Sequence, residues 1–155
     1  MRRKVGTVAV ALFAALAVVL LGTQPAPADH GGSSIVGTWT VTAGGAEYEP
    51  HLFQFSSDGT MLTTNPTNVQ ERADKPHGGT NDSVGMGAWK ARGDGVFVGK
   101  FLQLNAFADT HKPAGTLVVT FTVRVRGDHF EGPATATVDG EEHLATLTGD
   151  RVKLP

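Results

Sequence analysis

From Ile35 to the end the chain repeats one unit: a run alternating apolar and polar residues, closed by a glycine or an Asp/Gly pair. A period of 2 puts every second side chain on one face of an extended strand. The clearest run sets Leu117, Val119, Phe121, Val123 and Val125 against Val118, Thr120, Thr122, Arg124 and Arg126. One such face suits a core and the other suits water. The same reading predicts strands over 35–42, 51–55, 61–64, 84–91, 96–107, 115–126, 130–138 and 142–153. Ser57-Asp58-Gly59-Thr60, Gly93-Asp94-Gly95, Gly127-Asp128 and Asp139-Gly140 supply the turns, with Gly59 free to take positive φ. Beyond residue 28 no segment sustains the i, i+3, i+4, i+7 spacing of a helix. The fold class is therefore all-β, with about eight antiparallel strands on short turns. They close best as a single up-and-down barrel, because closure removes exposed edges. A two-sheet β-sandwich is the alternative.

The first 28 residues follow a different rule. Arg2, Arg3 and Lys4 precede an uncharged apolar run from Val5 to Gly22, then Pro25 and the small-residue site Ala26-Pro27-Ala28. These are the three parts of a cleaved secretory signal peptide. The Ala-x-Ala site and the lack of positive charge after the run argue against a permanent membrane span. The domain plan is thus a signal over 1–28, a Gly-rich lead-in over 29–34 and a barrel over 35–155. The expected location is secreted, extracellular, from a bacterium.

Cleavage at Ala28 leaves 127 of the 155 residues and 10 of the 13 Lys and Arg against all 15 acids, a net charge of −5. The remaining basic residues are scattered singles, which argues against nucleic-acid binding. No Cys is present, so packing alone must hold the exported domain together. Cysteine nucleophiles and thiolate metal sites are excluded. Residues 65–83 break the rhythm: two Pro, Gly78-Gly79, both charge signs and almost no apolar content. A stretch of that kind is either a lid at a barrel mouth or a solvated connector.

Gly37-Thr38-Trp39 opens the first predicted strand, Phe55-Ser56-Ser57-Asp58-Gly59-Thr60 follows the second, and Gly87-Ala88-Trp89 lies mid-chain. In these the chain resembles the calycin superfamily, and more closely the lipocalin-like secreted bacterial proteins. The resemblance implies a barrel whose Trp39 plugs the closed end, with Arg151 placed to pack on it. The lipocalin Thr-Asp-Tyr element is absent.

Candidate chemistry is sparse. The six histidines, His30, His51, His77, His111, His129 and His143, make no compact ligand motif, so no metal and no cofactor are expected. There is no nucleophile elbow, Walker loop or dinucleotide fingerprint. In strand 96–107 one face carries Phe97, Gly99, Phe101, Gln103, Asn105 and Phe107. Pointed inward, this face sets aromatic walls beside two amides, the mixture of a small-molecule pocket, with Gly99 leaving room. His51 runs in phase with Phe53 and Phe55 and would bring an imidazole into the same space. The expected lining is His51, Phe53, Phe55, Trp89, Phe101, Gln103, Asn105, Phe107 and Phe121. The expected partner is a small apolar or amphipathic molecule. Two alternatives stand beside this binding function. One is a cyclase or isomerase resembling the allene oxide cyclase-like barrels, using His51, Tyr48 or Asn105 as polar handles. The other is a filled barrel acting through its surface.

Overall fold

A computed structural model describes residues 34–46, 49–66, 69–71, 77, 79–153 and 155. Among the described residues the β-strands form one sheet. They are β1 (Gly37–Ala43), β2 (His51–Phe55), β3 (Thr60–Thr64), β4 (Val69–Glu71), β5 (Gly79–Asp82), β6 (Gly85–Gly93), β7 (Val96–Phe107), β8 (Pro113–Arg126), β9 (His129–Val138) and β10 (Glu141–Arg151). The expected signal segment 1–28 and most of the lead-in lie outside the described residues. Among the described residues no helix is long and apolar enough to cross a membrane.

Eight strands close a ring in the order β1-β2-β3-β6-β7-β8-β9-β10, and β10 pairs back onto β1. All pairings are antiparallel. The ring is closed by continuous ladders such as Trp39↔Arg151 to Ala43↔Leu147 and Val96↔Arg124 to Asn105↔Gly115, so the barrel stands and the sandwich does not.

The stretch 65–83 holds two strands that its polar composition conceals. β7 runs past the end of β6 and leaves an unpaired edge at Asn105–Phe107. β5 covers that edge through Thr80↔Phe107, Asn81↔Ala106 and Asp82↔Asn105, continuing the line of β6. β4 pairs with β5 outside the ring. Backbone pairing, which any residue but proline can make, decides this segment.

Alternation sorts the faces as expected. Phe97, Phe101 and Gln103 of β7 are buried, whereas Leu102 and Leu104 face outward at 46% and 64% exposure. An eight-stranded barrel is just wide enough to be filled by its side chains or to hold one small guest. Side-chain size along the axis therefore decides what is hollow. At the end carrying the tight turns after β2, β6 and β8, large rings meet. Trp39 lies 5.0 Å from Phe130, Phe55 lies 6.1 Å from Trp89 and 6.5 Å from Phe130, and Trp89 lies 5.7 Å from Phe97. Burying each such ring stabilises the fold by about 2–3 kcal/mol. Two ring faces are seated on glycines across the ladder. A Cβ on Gly99 would collide with Phe121, and one on Gly149 would collide with Phe130. The space at Gly99 is thus filled by Phe121, not left for a guest.

Arg151 seals this end. Its guanidinium carbon lies 4.2 Å above the Trp39 ring centre. Nη1 donates to the Val36 carbonyl at 2.6 Å, Nη2 to the Ser34 carbonyl, and Nε meets Asp128 at 3.1 Å. The Trp39 indole N–H donates to the Ile35 carbonyl at 2.7 Å, and Trp39 and Ile35 are both fully buried.

Candidate functional site

The opposite half of the barrel is built from smaller residues. Ala134 and Ala136 of β9, Ala145 of β10 and Ala43 of β1 line it together with Phe53 and Phe101. The β8–β9–β10 register puts Phe121 beside Ala134, Val119 beside Ala136, and Ala134 beside Ala145. Alanines among the phenylalanines leave a cavity of about 620 Å3, a volume typical of small-molecule sites. Leu117, Val119 and Leu147 complete its apolar surface. Gly44, Gly45, Ala46, Glu142, His143 and Leu144 border it and are exposed, so the cavity opens at the end carrying the longer connections.

One side of the cavity is polar. His51 starts β2, Asn65 follows β3 and Asp82 ends β5. β3 pairs with β6 only as far as Thr63↔Gly85, and side chains bridge the gap beyond it. His51 Nδ1 and Asn65 Oδ1 are 2.9 Å apart. Asn65 Nδ2 donates to Asp82 Oδ2 at 3.3 Å, and the Thr80 hydroxyl donates to Asp82 Oδ1 at 3.2 Å. Burial pushes the Asp82 carboxyl above its ordinary range, against these two hydrogen bonds, which lower it. Gln103 is 2% exposed and donates its amide to the Ser83 carbonyl at 2.9 Å. Thr63, also buried, borders the same space. A hydrogen-bonded imidazole beside an apolar chamber can orient a polar group or exchange a proton with it.

Of the residues expected to line a pocket, His51, Phe53, Phe101 and Gln103 come together around this cavity. Phe55 and Trp89 belong to the packed end, where the Trp89 indole N–H donates to the carbonyls of Ser56 and Thr60 at 3.1 and 3.0 Å. Phe121 is buried between Phe53 and Phe55, at 6.4 and 6.2 Å, beneath the hollow. Asn105 and Phe107 lie where β7 pairs with β5. Phe107 stacks on His77 at 4.5 Å, and no donor among the described residues reaches the buried Asn105 Oδ1. Tyr48 lies outside the described residues.

Sequence reasoning passed over Asn65 and Asp82, at or next to the two ends of the polar stretch, and the alanines. Ala134 and Ala136 run in phase with Phe130, which was the available signal; smallness hid them. Among the described residues no three His, Asp or Glu side chains converge as a metal set. Comparisons with protein-family models, curated proteins and solved structures give no match.

Proposed function

We propose that this chain is an exported, lipocalin-like barrel that carries a small apolar or amphipathic molecule in the open half of its interior. The observation that carries the reading is the 620 Å3 cavity, walled by Phe53, Phe101, Leu117, Val119 and alanines and edged by His51 and Gln103. A packed aromatic end and a hollow end in one barrel suit storage or transport of a guest better than action through the surface. Calycin membership is supported by Gly37-Thr38-Trp39 at the first strand and by Arg151 lying on the Trp39 ring. Export is supported by the basic, apolar and Ala-x-Ala segments of residues 1–28.

The test is displacement of an environment-sensitive dye from the purified protein by alkyl amphiphiles, repeated on Ala136→Phe. Binding by the unmodified protein and its loss in a folded Ala136→Phe variant are expected. Failure of every amphiphile to bind, or undiminished binding in the filled variant, overturns the reading. A barrel cyclase or isomerase is the second reading, favoured by the His51–Asn65–Asp82 chain at the cavity edge. It requires turnover of a bound guest that His51→Phe abolishes.

A further inference from the structure

We infer that the cavity selects an uncharged amphiphile with a hydroxyl head group, and that His51 Nε2 accepts its hydrogen bond. The inference rests on the binding function proposed above and specifies its ligand. It follows from the direction of the hydrogen bonds. The Asn65 amide turns its nitrogen to Asp82 and its oxygen to His51. The Asn65 oxygen can only accept in turn, so His51 Nδ1 carries the proton. In the neutral imidazole that leaves Nε2 as a lone pair, and among the described residues it has no hydrogen-bond partner. Gln103 repeats the pattern: its nitrogen faces the Ser83 carbonyl, leaving its oxygen as an acceptor.

The polar edge is thus rich in acceptors and lacks a guest's donor. It also repels anions. Asp82 and Glu142 border the cavity beside His51 and His143, and among the described residues no Lys or Arg does. A fatty carboxylate would enter an apolar chamber with no Lys or Arg to pair with it, which is unfavourable. An alkyl ether would fill the apolar half but leave His51 unpaired. An ammonium would be drawn by Asp82 and Glu142 but would surrender its hydration to reach them. An alcohol satisfies the edge at least cost.

Four probes of equal chain length separate these possibilities by dye displacement near neutral pH: decanol, decyl methyl ether, decanoate and decylamine. Decanol is expected to bind at least about tenfold tighter than each of the others, the factor that one well-made hydrogen bond supplies. In His51→Phe, decanol should fall to the affinity of the ether, with the ether unchanged. If that variant does not fold, the ranking on the unmodified protein decides alone. Equal binding of all four keeps the cavity reading and overturns the head-group assignment. Tighter binding of decylamine or decanoate also overturns it. Failure of all four removes the binding function itself.

Discussion

Arg151→Met probes the closed end most sharply. Methionine keeps much of the side chain's length and apolar contact with Trp39 but removes the guanidinium. Four interactions are lost. The stacking of the cation on Trp39 at 4.2 Å is worth about 1 kcal/mol where the group is partly covered. The donations to the Val36 and Ser34 carbonyls contribute about 1 kcal/mol each, discounted because water can replace a side chain left 22% exposed. The contact with the half-exposed Asp128 is screened and adds little. The total, about 3 kcal/mol, lowers Tm by roughly 10 °C for a domain of this size. Thermal unfolding followed by circular dichroism measures it, with two controls. Lys153→Met removes the other cation from Asp128, an exposed pair, and should lower Tm far less than Arg151→Met does. Repetition in ~1 M salt, where the Debye length is about 3 Å, should preserve the gap between wild type and Arg151→Met. A loss below about 1 kcal/mol, or a gap that vanishes in salt, refutes the view that Arg151 latches the barrel through Trp39 and the backbone.

Other outcomes are equally specific. Gly99→Val drives two methyl groups toward the Phe121 ring and should destabilise by about 2 kcal/mol in denaturant titration. Met86→Lys, on an outer wall position 65% exposed, should shift stability by less than about 0.5 kcal/mol. Hydrogen bonding from Lys153 holds the Asp128 carboxyl below its ordinary 3.8, so the unfolded chain binds more protons there. Its stabilising contribution is therefore present above that value and disappears as pH falls through the folded one. In Tm-against-pH profiles, Asp128→Asn should flatten the acid limb. Asp82 has the opposite sign: burial raises its carboxyl, the folded state holds the extra proton, and its contribution weakens as pH rises from 3.8. Asp82→Asn should remove that decline from the same profile.

Much of the fold was legible because alternation and turn chemistry are local. The run from Leu117 to Arg126 declares both faces of β8 without knowledge of its neighbours, and Asp139-Gly140 marks its hairpin without knowledge of either strand's partner. The Phe97–Phe107 face points inward over its buried part for the same reason. β5 was illegible because Gly79–Asp82 has no apolar pattern; it is a strand only because β7 offers it an edge. The site follows the same division. His51, Phe53, Phe101 and Gln103 stand in phase on their own strands. The polar chain depends on Asn65 and Asp82, 17 positions apart, meeting across the gap at the end of β3. The hollow is a property of four strands at once. No single strand announces that Ala134, Ala136 and Ala145 will line one cavity with Phe53 and Phe101.

A crystal structure of the protein grown with decanol tests the central claim most directly. The account predicts alkyl density among Phe53, Phe101, Ala134 and Ala136, ending in an oxygen within hydrogen-bond reach of His51 Nε2. A barrel whose open half has collapsed onto itself, or holds only solvent at saturating decanol, would contradict it.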